Sequence, residues 1–126
     1  MRKKIDLQSW PRKEHFEFFS KFSEPFHGIT VELDLTTAYN QAKKKSQSFF
    51  LYYLYRALKA MNEMEQFRLR IEDGEPYLYD QVHISSTVLR PDETFGFSYI
   101  NYNEDENLFL EDAKKEIEKV QNSSGL

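Results

Sequence analysis

The sequence predicts an α/β domain of the α+β type, with helices packed on a largely antiparallel sheet. Three observations predict it. Ile29 to Leu35, I-T-V-E-L-D-L, alternates strictly between apolar and polar residues, the period of a strand with one buried face. Asp73-Gly74 separates two further alternating runs and is a strong two-residue hairpin signal. Phe49 to Tyr55, F-F-L-Y-Y-L-Y, is apolar or aromatic nearly all round, so a helix there needs cover on several sides. At 126 residues the chain suffices for one domain with one core, and no repeat or linker divides it, so residues 1–126 are expected to form one unit.

Taken in order, Met1 to Leu7 is an extended lead-in. Ser9 to Phe22 opens like a helix: Ser9 can cap it, and Pro11 suits its first turn because the missing N–H was unpaired there anyway. Phe16, Phe19 and Phe22 recur at three-residue steps and give one aromatic face. Arg12 stands at the helix start, where a cation is electrostatically unwelcome, so it reads either as solvated or as reserved for a distant partner. Pro25 and Gly28 break the chain before the Ile29–Leu35 strand. A short helix starts within Asp34–Thr37 and carries Lys43 to Lys45 in its last turn. Ser48 caps the longer, central helix that follows.

Phe67 to Glu72 alternates and leads into the Asp73-Gly74 turn, after which E-P-Y-L-Y-D returns antiparallel. Pro76 marks that returning strand as an edge. Val82 to Arg90 contains another strand, P-D-E-T turns the chain, and Phe95 to Tyr102 forms one more. Gly96 inside it implies a bulge or a close approach by another group. Asn107 caps a last helix with an apolar stripe of Leu108, Ala113, Ile117 and Val120. Gly125 suits a helix end, whereas Leu126 reads as an interruption and not as a finished domain.

Hydrophobic residues are 40% and charged residues 30%, the balance of a soluble globular protein. Aromatics reach 16%, which suggests a core or pocket walled by rings. Lys plus Arg number 17 against 21 Asp plus Glu, so the net charge of −4 lacks the footprint of a nucleic-acid binder. The absence of Cys excludes disulfides, thiolate metal sites and a Cys nucleophile, and fits the cytoplasm. No long apolar run spans a bilayer, and M-R-K-K-I-D-L-Q lacks a signal-peptide apolar region. His15, His27 and His83 have no metal-ligand spacing and no readable Ser-His-Asp pattern, so each reads as structural or solvated. Dinucleotide and P-loop glycine motifs are absent.

Several stretches together resemble the N-terminal part of a chloramphenicol acetyltransferase. They are I-D-L-x-x-W-x-R-K-E-H-F-E-F-F, I-T-V-E-L-D-L-T, F-F-L-Y-Y-L-Y, N-E-M-E-Q-F-R-L-R-I and T-V-L-R-P-D-E-T-F-G-F-S. W-x-R-x-E-H-F-E-F with F-R-x-x-I and E-T-F is specific to that family, where any one piece would be weak. The resemblance implies a two-layer domain, helices against a large mixed sheet, incomplete here at its C-terminus. It implies a cytoplasmic acyltransferase of antibiotic resistance, a homotrimer at full length. Acetyl-coenzyme A is its co-substrate, chloramphenicol or a similar hydroxyl-bearing molecule its acceptor, and no metal takes part.

In that family a His in an H-x-x-x-D-G motif takes the hydroxyl proton, because an alcohol is a poor nucleophile until a base shares its proton. A Ser hydroxyl supports the oxyanion. No H-x-x-x-D-G occurs in this sequence, so the resemblance leaves the chain without a catalytic base. Arg12 would brace the base by pairing with the motif's Asp. Phe19, Phe26, Phe95, Gly96 and Phe97 would contact the acceptor. Phe19 stands where Tyr is frequent, Gly96 where a small residue, often Ser, is seen, and Phe97 is bulkier than expected. From periodicity alone the four rings fit core packing and ligand contact equally. A binder that does not turn its ligand over, or an inactive fragment, is the alternative expectation.

Overall fold

The computed structural model describes residues 1–126. Its elements run β1 (Arg2–Lys4), α1 (Lys13–Phe19), α2 (Thr36–Lys44), α3 (Phe49–Glu63), a 3-10 turn (Glu65–Arg68), β2 (Leu69–Glu72), β3 (Glu75–Tyr79), β4 (Ile84–Leu89), β5 (Phe95–Ile100) and α4 (Glu106–Gln121). The α/β class holds: four helices accompany a three-stranded sheet ordered β1-β3-β2 and a two-stranded sheet β4-β5, every pairing antiparallel.

The core forms where α3 and α4 meet the strands. Leu51, Leu54, Tyr55 and Leu58 of α3 pack with Phe109, Leu110 and Ala113 of α4, together with Val82 and Ile100. The apolar start of α3 is covered on several sides, with Leu51, Tyr52, Leu54 and Tyr55 buried and Tyr53 left exposed, and Ser48 caps it by accepting from the Leu51 N–H at 3.4 Å. Tyr55 reaches through this core to donate its hydroxyl to the Glu104 carbonyl at 2.6 Å; burial pushes its phenol up from the ordinary value.

Asp73 and Gly74 both adopt positive φ, 51° and 78°, the paired left-handed geometry of a two-residue hairpin turn whose twist matches its strands. Gly96 meets the expectation of a close approach. A Cβ there would lie 2.5 Å from Arg90 Nη2 and 2.7 Å from Val120 Cγ1, so only a hydrogen fits between strand and helix.

Five expectations need correction. Ser9 does not cap α1; its hydroxyl donates to the Asp6 carboxylate at 2.8 Å, which holds that carboxyl below its usual range, and Arg12 occupies the N-cap position with no side-chain cap. Ser is drawn away because Asp6 already turns the chain there, accepting from the Gln8 N–H. Pro76 is not on an edge, since β3 runs between β1 and β2. Pro76 pairs with Ile71 next to the Glu72–Glu75 pair that closes the hairpin, so its nitrogen faces the β1 side. The β1 ladder ends at Lys4 opposite Tyr77, and beyond it only the Pro76 carbonyl is used, accepting from Ile5 N–H at 2.9 Å. The ring therefore costs only the reciprocal bond of the Ile5–Pro76 pair, at the place where the ladder ends.

Ile29 to Leu35 forms no strand; Ile29, Val31 and Leu33 are 86%, 63% and 73% exposed, because no strand of this chain lies beside them. Asp105, and not Asn107, caps α4, accepting from the N–H groups of Asn107 and Leu108 at 2.8 and 3.3 Å. Leu108 consequently faces solvent and Phe109 takes the core position.

Candidate functional site

Helix α1 is short, buries no residue, and lies over the β2-β3 hairpin. Two adjoining grooves result. One, of about 510 Å³, is bordered by Trp10, Phe16, Leu69, Arg70, Ile71 and Pro76. The other, of about 540 Å³, is bordered by Phe22, Glu24, Phe26 and His27. Arg12, His15, Phe19 and Pro25 line both. Locally the sequence dictates this arrangement. Helical spacing turns Arg12, His15 and Phe19 to one side of α1. Pro25 then helps turn the chain back so that Phe26 and His27 face the same space.

The walls are aromatic. Trp10 and Phe16 pack with ring centroids 5.9 Å apart. Phe18, Phe19 and Phe22 form a triangle of edge-on and tilted contacts at 5.1 to 5.4 Å. Phe19 is half exposed and Phe26 is 88% exposed. Arg12 makes no side-chain hydrogen bond and no ion pair, whereas Arg70 across the first groove is tied to the Phe67 and Leu69 carbonyls at 2.8 and 2.7 Å. Arg12 is thus the cation of the groove with its donors unspent.

Of the residues named from the sequence, the structure brings Arg12, Phe19 and Phe26 together along one groove. It does not bring Phe95, Gly96 and Phe97 there. Gly96 faces α4 and is filled over by Arg90 and Val120, while Phe95 and Phe97 project from the opposite face of β5, about half exposed and edge-to-face at 5.7 Å. His15 and His27 line the grooves without a carboxylate partner. His83 lies apart, its Nδ1 accepting from the Tyr102 N–H at 3.0 Å, which places its neutral-state proton on Nε2. No group of three His, Cys, Asp or Glu side chains is arranged to hold a metal ion, and no helix is long and apolar enough to cross a membrane.

Sequence reasoning missed Arg90 and Asn62. Arg90 is 7% exposed with all its donors used, and its inward position follows from the alternation Val88, Leu89, Arg90. Asn62 bonds across to Val82 and carries no comparable signal in its spacing.

An α/β domain whose helix overhangs a hairpin to leave an open aromatic groove is a scaffold suited to ring-bearing small molecules. The family model described as chloramphenicol acetyltransferase matches residues 2–126. The chain belongs to the chloramphenicol acetyltransferase family. It is 34% identical over 107 residues to a chloramphenicol acetyltransferase of Klebsiella sp, covering 84% of this chain and 49% of that protein. It is 27% identical over 124 residues to chloramphenicol acetyltransferase 3 of Escherichia coli, covering 98% of this chain and 58% of the relative. A solved chloramphenicol acetyltransferase superposes with a TM-score of 0.89 at 35% identity, over 98% of this chain and 59% of that one. The chain spans about half the length of the curated relatives it matches.

Proposed function

We propose that this chain is the N-terminal portion of an O-acetyltransferase that moves acetyl from acetyl-coenzyme A to a hydroxyl of chloramphenicol. Its role is to supply part of the acceptor pocket. The observation that carries this reading is the convergence of Arg12, Phe19 and Phe26 on one aromatic groove in a member of this family. In the groove, Phe19 and Phe26 hold the ring of the acceptor by apolar contact. Phe95 and Phe97 meet it from β5 only in the complete assembly. Arg12, with its donors free, braces the carboxylate that orients the base. The base itself comes from outside these residues, because neither His15 nor His27 has a partner to set its tautomer or share its proton. Proton removal from the hydroxyl, attack on the thioester carbonyl and departure of the coenzyme A thiolate are the steps the complete site performs. The full-length assembly is taken to be a trimer and cytoplasmic, as the resemblance implies.

The test is titration of the 126-residue chain with chloramphenicol, followed by an acetyl-transfer assay with acetyl-coenzyme A. Saturable binding without product is expected from the chain alone, and product when the C-terminal half of a relative is added. Turnover by the chain alone overturns the assignment of the base, and absence of binding by the folded chain overturns the pocket.

A further inference from the structure

Arg90 closes β4, and the alternation of that strand points it inward, beside Gly96 and against the end of α4. A guanidinium cannot shed its charge inside a protein, so burial requires that every donor be met. Every one is. Nε donates to the Val120 carbonyl at 3.1 Å. Nη1 donates to the Phe95 carbonyl at 2.8 Å and to Thr94 Oγ1 at 3.4 Å. Nη2 donates to the Gly125 carbonyl at 2.7 Å and to Ser123 Oγ at 3.2 Å. All five acceptors are neutral, and Arg90 enters no ion pair. Its charge is balanced by the negative end of α4, whose last turn contains Val120.

The surroundings are shaped for it. Gly96 leaves out the Cβ that would strike Nη2. Ser123 donates its own hydroxyl proton to Val120 O at 2.8 Å, so its oxygen is free to accept from Arg90. Gly125 takes a φ of +78°, a conformation that L side chains disfavour, where its carbonyl meets the guanidinium. Arg90 therefore ties three pieces of chain at one point: the start of β5, the end of α4, and the segment Ser123–Gly125.

We propose that Arg90 is a positioning residue. It fixes the start of β5, and with it Phe95, Gly96 and Phe97, in register with α4, and it directs the path of the chain after α4. The consequence for the acceptor rests on the pocket reading given above; the clamp does not. Lys cannot replace it, because one ammonium nitrogen cannot span acceptors on both sides of a planar fork.

The experiment compares Arg90→Lys and Arg90→Gln with the parent chain by NMR relaxation and chloramphenicol titration. In the parent, Ser124–Leu126 should relax as ordered backbone. In both variants they should become as mobile as a frayed terminus, with displaced amide shifts at Phe95–Phe97 and chloramphenicol binding weakened about tenfold, a coupling usual for contacting groups. Arg90→Lys, keeping its charge beside the helix end, should melt above Arg90→Gln. An ordered Ser124–Leu126 with unmoved β5 shifts in Arg90→Lys overturns the proposal. If Arg90→Gln does not fold, Ser123→Ala with Gly125→Ala deletes the Ser123 hydroxyl and disfavours the positive φ that places the Gly125 carbonyl, while leaving Arg90 in place. Mobility at Ser124–Leu126 supports the clamp there, and retained order overturns it. A parent chain that does not bind chloramphenicol sinks the pocket reading, and relaxation then decides the clamp alone.

Discussion

Asn62 holds Val82 by both of its main-chain groups: the Val82 N–H donates to Asn62 Oδ1 at 2.8 Å, and Asn62 Nδ2 donates to the Val82 carbonyl at 3.0 Å. One amide side chain at the end of α3 thus replaces a strand neighbour for the residue that leads into β4. Val82 is 6% exposed, so water cannot take over. Asn62→Ala is expected to lower stability by about 2–3 kcal/mol, the cost of stranding buried polar groups. Urea unfolding should show a lower midpoint with an unchanged slope.

The cap of α4 decides which residue enters the core. With Asp105 as cap, Phe109 is fully buried and packs at a tilt against Tyr55 at 5.1 Å between centroids, while Leu108 is half exposed. Phe109→Ala should cost about 3–5 kcal/mol, as large-to-small core changes do, and Leu108→Ala no more than about 0.5 kcal/mol. Thermal melts of the pair check the assignment; equal losses would return the stripe to Leu108.

Turn chemistry and backbone space were legible in the residues: the Asp73-Gly74 turn, the Ser48 cap and the room left at Gly96. Choices between neighbouring caps were not, because Asp6 draws off Ser9 and Asp105 caps α4 two residues ahead of Asn107. Features that need a strand partner were not legible either. I-T-V-E-L-D-L has the pattern of a strand, but pattern supplies only half of a ladder, and no strand of this chain pairs with it. Pro76 reads as an edge because its neighbour β1 comes from the far end of the chain, and the β1 ladder ends where the proline nitrogen has no hydrogen to give. In the candidate site, Arg12 and Phe19 shared a helix face by spacing alone, whereas Phe26 joined them through a turn whose path no periodicity encodes.

Because Val31 touches no strand of this chain, charging it should be silent here. Val31→Asp is expected to shift the unfolding free energy by less than about 0.5 kcal/mol, the range of exposed substitutions. A loss of about 2 kcal/mol or more would mean that Ile29–Leu35 packs on something within the 126 residues.

Phe19 offers the acceptor a ring without a hydroxyl. If the groove is the acceptor pocket, Phe19→Tyr should tighten chloramphenicol binding by about three- to tenfold, the worth of one added neutral hydrogen bond. Phe19→Ala should weaken it. Calorimetric titration of both variants checks the order, and identical affinities would remove Phe19 from the pocket.

Glu116 closes the outer edge of β5. The Arg90 N–H donates to the Thr94 carbonyl across the turn, and alternation from that pair leaves Phe95, Phe97 and Tyr99 with their main-chain groups facing away from β4. The Tyr99 N–H is taken by Glu116 Oε1 at 3.1 Å, and this bond first, then the one from Lys119, holds the Glu116 carboxyl below the ordinary value near 4.5. A carboxyl that ionises more readily when folded stabilises the fold fully above its unfolded pKa, and that contribution disappears as pH drops through the folded one. Glu116→Gln keeps an acceptor for Tyr99 but never ionises. Its melting temperature should therefore lie below that of the parent chain at about pH 7, and the gap should close as pH falls through the lowered folded value of Glu116. The Lys119 partner is mostly exposed, so 1 M salt should leave most of that difference in place. A gap independent of pH would show that the oxygen's position, and not its charge, holds the edge.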